Sequence, residues 1–213
     1  VLGTHGRGGL ERLFLGSVTE KLIRRLPCSV LTICHEEGRT WNAPGLLTRI
    51  VCATDFSETS AEALTFALAL AGSDARVTPL HVIESIQETR EPSHFGLPDL
   101  QPLREDLDRQ AREHLEQAIR AAGETGATVE PRVAFGRAYQ EILRVAAEER
   151  ADLVVIGAQG HGPIEHLLSG SNAQQVIRKA TCPVLTVRRP RARERSDEVR
   201  SAGLVPKLVE KQP

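Results

Sequence analysis

Three glycines at fixed spacing carry the first chemical signal in this sequence. Gly157, Gly160 and Gly170 stand in the pattern Gly-x-x-Gly-x9-Gly-Ser, closed by Ser171. Glycine lets the backbone approach a ligand closely and adopt φ > 0. The free N–H groups at the start of a helix, with the dipole behind them, attract an anion. Ser171 adds a hydroxyl donor. The arrangement suits a phosphate, yet it is neither a Walker A loop nor a GxGxxG fingerprint. In one copy the signal is modest: three fixed glycines match by chance at on the order of one start in 3,000. The alternative is a tight strand-to-helix turn that binds nothing.

A second copy strengthens the signal. With a shift of 154 residues, the first 33 positions align without a gap to 155–187, and 14 of the 33 pairs are identical. Gly3, Gly6, Gly16 and Ser17 meet Gly157, Gly160, Gly170 and Ser171. Cys28-Ser29-Val30-Leu31-Thr32-Ile33 meets Cys182-Pro183-Val184-Leu185-Thr186-Val187. Residues 1–34 thus read as the closing helix and strand of one domain. Residues 35–46 read as a linker, 47–188 as a complete second copy, and 189–213 as a charged, disordered tail. The chain holds no methionine and opens on Val1-Leu2-Gly3, which reads as the end of a buried strand. The expectation is a fragment or a processed chain.

Asp55 is the next candidate. It closes the apolar run Ile50-Val51-Cys52-Ala53-Thr54. A carboxylate at the carboxyl end of a parallel strand can accept hydrogen bonds from a ribose. It can instead cap the helix that follows, as can Ser57; both roles hold together if Ser57 caps and Asp55 stays free.

Regular elements must position these residues. After the strand ending at Thr54, a helix begins behind Ser57, with Ala61, Leu64, Ala67, Leu68 and Ala71 at helical spacing. Arg76 to Ile83 is a strand in which Pro79 calls for a bulge or an edge position. Glu84 to Pro102 is a long loop of the kind that covers a site or stays mobile. Leu103 to Ala122 is a helix with Leu107, Ala111, Leu115, Ala118 and Ile119 on one stripe. Thr128 to Val133 is a strand, and Tyr139 to Glu149 a helix with Ile142, Leu143, Val145 and Ala146 inside. Leu153 to Ile156 is a strand covered on both faces. A helix from about Ser171 to Lys179 and the strand Val184 to Val187 complete the copy. This alternation predicts an α/β fold with a parallel sheet and helices on both faces.

These residues resemble the universal stress protein family. The resemblance rests on Ala53-Thr54-Asp55-Phe56-Ser57, on Leu80-His81-Val82-Ile83, on the glycine loop and on the closing Cys182 to Val187. It implies an open, doubly wound five-stranded parallel sheet in the order 3-2-1-4-5, of the adenine nucleotide α-hydrolase-like type. Strands 1 and 4 are then neighbours at the switch point, where ligands bind in open α/β sheets. By resemblance, Ala53, Thr54 and Val82 would line an adenine pocket and Asp55 would hold the ribose. Ile156 and Gly157 would continue the floor. Gly160, Gly170, Ser171, Asn172 and Ala173 would face the phosphates, with Gln159 in the loop. The implied ligand is ATP, or ADP or AMP, with Mg2+ as an accompanying ion. Binding members commonly carry more hydroxyls after the third glycine, and His or Arg where Gln159 stands. Ser171-Asn172-Ala173 therefore implies weaker nucleotide affinity than in those members.

The implied function is a cytosolic stress-response regulator acting through nucleotide binding and dimerisation. The alternatives are a family member serving as a protein-interaction module without ATP, and an enzyme of the wider hydrolase-like group such as a slow ATPase. No residue set in the sequence resembles a catalytic triad, a metal site or a general acid–base pair. Family members pair through the last strand. Val30 to Ile33 is thus expected antiparallel to Val184 to Val187, within the chain or between two chains.

Other features narrow the classes. The 213 residues are 40% hydrophobic and 26% charged with a net charge of -1, which argues against a general nucleic-acid or acidic-membrane binder. The apolar runs are too short to span a bilayer. Cys28, Cys34, Cys52 and Cys182 lack metal-ligand spacing and read as reduced thiols in a cytosolic protein. His81 reads as a packed, hydrogen-bonded histidine, and His161 and His166 as surface residues.

Overall fold

A computed structural model describes residues 2–3, 26, 28–33, 47–84, 101–158 and 171–188. Twelve elements lie among them. They are β1 (Leu2–Gly3), β2 (Val30–Ile33), β3 (Arg49–Thr54), α1 (Glu58–Leu70), β4 (Arg76–Ile83), α2 (Gln101–Ala122), β5 (Thr128–Val129), β6 (Arg132–Phe135), α3 (Ala138–Glu148), β7 (Leu153–Gly157), α4 (Ser171–Lys179) and β8 (Val184–Val187). The linker 35–46, the tail and the helix expected between β1 and β2 fall outside the described residues.

One sheet runs β1-β2-β8-β7-β3-β4-β5, with β6 also on β4. From β3 onward all pairings are parallel. Counted from β3, with β5 and β6 as two pieces of the third strand, the order is the expected 3-2-1-4-5. Strand alternation divides the core between the two faces. Ile50, Cys52, Val77, Leu153 and Val155 pack under α1, with Ala118, Ile119 and Ala122 of α2 on the same face. Val51, Leu80, Val154, Ile156 and Val184 pack under Ile142, Val145, Val176 and Ile177 of α3 and α4. Each large aliphatic side chain so buried contributes about 1.5–3 kcal/mol.

The register of α1 differs from its sequence reading. Ala61 is exposed, and Ser60, Ala63, Leu64, Ala67 and Leu68 form the buried stripe. Leu107 of α2 is likewise outside the core at 38% exposure. Pro102 falls in the first turn of α2, where a missing N–H costs nothing.

Pro79 sits in neither a bulge nor an edge strand. β4 is interior, and Cys52 pairs opposite Pro79 in unbroken register with β3. The Val77 carbonyl accepts from the Glu130 N–H at 3.0 Å, so odd positions of β4 turn their polar groups towards the third strand. There the third strand is interrupted between Val129 and Arg132. The N–H that Pro79 lacks would point at that interruption, and the expected single strand Thr128–Val133 is accordingly two short ones.

At the opposite end of the sheet from Gly157, Asp152 joins the starts of β3 and β7. Its Oδ2 accepts from Thr48 N at 3.0 Å, Thr48 Oγ1 at 2.7 Å and Arg49 N at 2.9 Å.

β2 lies antiparallel on β8, with Val30, Leu31 and Thr32 opposite Thr186, Leu185 and Val184. The buried Thr32 hydroxyl donates to the Val184 carbonyl at 3.1 Å. The Pro183 and Val187 carbonyls accept from β7 and its following residue, so the N–H of Leu185 also faces β7. The contact with β2 is therefore probed at Thr32. Thr32→Pro should lower stability by roughly 1–3 kcal/mol through unpaired groups on β8, and should open the β8 edge to another chain. Thermal unfolding and gel filtration check this; unchanged melting and unchanged mass would contradict it.

Candidate functional site

The carboxyl ends of β3, β4 and β7 open into one cleft. Ala53, Thr54 and Asp55 come from the end of β3, Leu80 and Val82 from β4, and Ile156 and Gly157 from β7. Ser60 enters from α1, Ala138 and Ile142 from α3, and Asn172, Ala173 and Val176 from α4. The cavity measures about 160 Å³. An engineered apolar cavity of about 150 Å³ admits benzene, so a flat ring fits here. The interior is apolar, and the polar groups gather towards the helix starts.

Three helices begin at this cleft, and each puts first-turn residues on its wall. The positive ends of α1 and α4 thus face one volume, which favours an anionic ligand, while the start of α3 meets the Glu84 carboxylate. α1 starts in a dense hydroxyl network. Ser57 is its N-cap and accepts from Ser60 N at 3.2 Å. The Ser60 hydroxyl donates to the Ser57 carbonyl at 2.9 Å and lies 3.0 Å from Thr54 Oγ1. Thr54 Oγ1 also accepts from Phe56 N at 3.0 Å.

Asp55 is not free. Its Oδ1 accepts from Ser57 N at 3.1 Å, closing the turn between β3 and α1. That turn forces Phe56 to φ 63, a left-handed conformation unusual for a bulky residue. The Phe56 ring is held by His81, stacked at 4.4 Å between centroids, and by His114, edge-on at 5.4 Å.

His81 is packed as the sequence indicates, with Nδ1 2.9 Å from the Thr54 carbonyl. Burial holds its pKa below the ordinary 6.5, partly offset by that hydrogen bond and by the Asp55 charge; the nearby His114 charge adds to the lowering. The unfolded chain then takes up the proton first, so this histidine's share of stability falls as pH drops below about 6.5. His81→Gln should narrow the difference in denaturation midpoint between pH 7.5 and pH 5.5. An undiminished difference would contradict this assignment. Burial also pushes the Cys52 thiol up to about 12, so it stays protonated and structural.

Gly157 lines the cleft and also has a packing role. It has no positive φ among the described residues. A Cβ there would stand 3.1 Å from Ser60 N, from the Thr59 carbonyl carbon and from Thr59 Oγ1. The glycine makes room for the first turn of α1 against the end of β7.

Eight of the candidate residues meet in the cleft: Ala53, Thr54, Asp55, Val82, Ile156, Gly157, Asn172 and Ala173. Ser171 opens α4. Gln159, Gly160, Gly170, His161 and His166 lie outside the described residues. The sequence reading missed Ser60, Leu80, Ala138, Ile142 and Val176. Ser60 was legible as the third residue beyond the Ser57 cap; the others carry only a core signal. It also missed Glu84, whose Oε1 accepts from Asn172 Nδ2 at 3.2 Å and from Ala138 N at 3.3 Å. Among the described residues no three His, Cys, Asp or Glu side chains cluster as a metal site, and no helix is long and apolar enough to cross a membrane.

Comparison with known proteins finds relatives in sequence and in fold. A universal stress protein of Methanocaldococcus jannaschii is 34% identical over 155 residues, 70% of this chain and 87% of the relative. The solved structure of MJ0577, another protein of that organism, has a TM-score of 0.56 at 27% identity over 68% of this chain and 98% of that one. A functionally unknown protein of Pseudomonas aeruginosa has a TM-score of 0.61 over 94% of this chain and 66% of its own, at 20% identity, a likeness of fold. The model of the universal stress protein family matches residues 1–33 and 47–188, the same two segments that the internal repeat sets apart. On that match and those motifs, the chain belongs to the universal stress protein family.

Proposed function

We propose that the cleft binds an adenine nucleotide and that the protein is a cytosolic stress-response regulator working through that binding and through strand pairing. The observation that carries the reading is the meeting of three helix starts, one carboxylate and an apolar slot at the switch point between β3 and β7. A base would occupy the space between Ala53, Val82 and Ile156, the ribose would reach Asp55, and phosphate would approach the start of α4. Mg2+ fits only as a companion of the phosphates, because the described residues offer no carboxylate cluster to hold it. The strand β2 acts as the remnant of a preceding domain and covers the β8 edge, as a tandem pair or a dimer would.

A thermal shift with ATP, ADP and AMP tests the reading. Ligand at about 100 times its Kd should add roughly 2.7 kcal/mol of apparent stability. The absence of any shift at millimolar nucleotide would favour the second reading, an interaction module without ATP. That reading has its own support: Asn172 is engaged by Glu84, and the next position is the methyl of Ala173. A slow ATPase is the third. Asp55 is the single carboxylate among the described lining residues, and its Oδ1 is bonded to Ser57 N.

A further inference from the structure

We infer that Glu84 sets the charge preference of the cleft, favouring adenosine and AMP over a triphosphate. The inference rests on the adenine-nucleotide reading of the cleft and names which members of that class are retained. Glu84 follows the last residue of β4, two positions beyond the lining residue Val82. Its Oε1 bridges two cleft-lining residues, the amide of Asn172 on α4 and the backbone N–H of Ala138 at the start of α3. The N-cap of α3 is Arg137, which makes no side-chain capping hydrogen bond. A carboxylate arriving from another element does that work.

Two consequences follow. The positive end of α3, which would otherwise draw a phosphate, is already matched by the protein's own anion. Asn172, placed where phosphates would lie, has its amide turned to Glu84. Each further phosphate on a ligand adds negative charge near this exposed carboxylate, held by its two hydrogen bonds, and the repulsion grows with ligand charge and is least screened at low salt. A neutral nucleoside or a monophosphate meets little of it.

Glu84→Gln separates charge from geometry, because the glutamine oxygen still accepts from Ala138 N and Asn172. Binding of adenosine, AMP and ATP to wild type and Glu84→Gln is measured by calorimetry at low salt, with circular dichroism to confirm the fold. The expected result is a wild-type preference for AMP over ATP that shrinks about tenfold in the variant, with adenosine affinity nearly unchanged. A ratio of ATP to AMP affinity that changes by less than about threefold, while AMP binds, overturns the inference alone. Binding of none of the three ligands to either protein overturns the nucleotide reading, and the inference with it.

Discussion

Gly157→Val should lower the unfolding free energy by about 3 kcal/mol or more, at the upper end of the cost of overpacking a filled interior. The first added carbon alone would stand 3.1 Å from two backbone atoms of α1. Those atoms cannot rotate away as a flexible side chain could, so the helix start must move. Valine's better strand propensity returns at most about 1 kcal/mol. The movement would also break the alignment of Ser57, Ser60 and Thr54, whose hydroxyls line or support the cleft. Stability and ligand affinity should therefore fall together. Urea unfolding checks the first effect; a change under about 0.5 kcal/mol, the ordinary scatter of surface substitutions, would contradict it.

Asp55→Ala should weaken nucleotide binding by about 10- to 150-fold, the equivalent of the roughly 1.5–3 kcal/mol carried by hydrogen bonds to a charged group. The same change also removes the acceptor for Ser57 N, so some stability is lost with it. Asp55→Asn divides the two roles. Asparagine keeps an oxygen for the Ser57 N–H and gives up the charge. It should unfold near the wild-type midpoint while binding more weakly. Equal affinity in Asp55→Asn and wild type would show that the carboxylate serves the turn alone.

The elements themselves show why some features could be read from sequence and others could not. The unbroken apolar runs of β3 and β7 imply interior parallel strands, since nothing else covers both faces. The repeat located β2 as a second copy of the closing strand, and the family resemblance supplied its antiparallel pairing with β8. Pro79 misled, because strand rules assume an intact neighbour, and the gap beside it belongs to Glu130 and Pro131, far along the chain. Ala61 misled because alanine spacing is ambiguous on a helix where Ala63 and Ala67 also recur. Phe56 gave no sign of its left-handed turn, since that conformation is imposed by Thr54, Asp55 and the two histidines around it.

The site followed the same division. Residues recognised by motif gathered where strand order required, at the ends of β3, β4 and β7. Glu84 was invisible because its importance is a relation between three elements, not a local pattern. Gly157 was named as a ligand contact; it lines the cleft and also admits the first turn of α1, a packing role that no local pattern shows.

The central claim is that an adenine nucleotide occupies the cleft at the switch point with Asp55 as a polar anchor. Calorimetric titration of AMP and ATP into wild type and Asp55→Asn, under one buffer and salt, tests it most directly. The account predicts saturable binding to wild type with a stoichiometry near one, and at least tenfold weaker binding to Asp55→Asn at equal thermal stability, about 1.4 kcal/mol in affinity. Neither nucleotide binding to the folded wild type, or both binding with equal affinity to the two proteins, would contradict it.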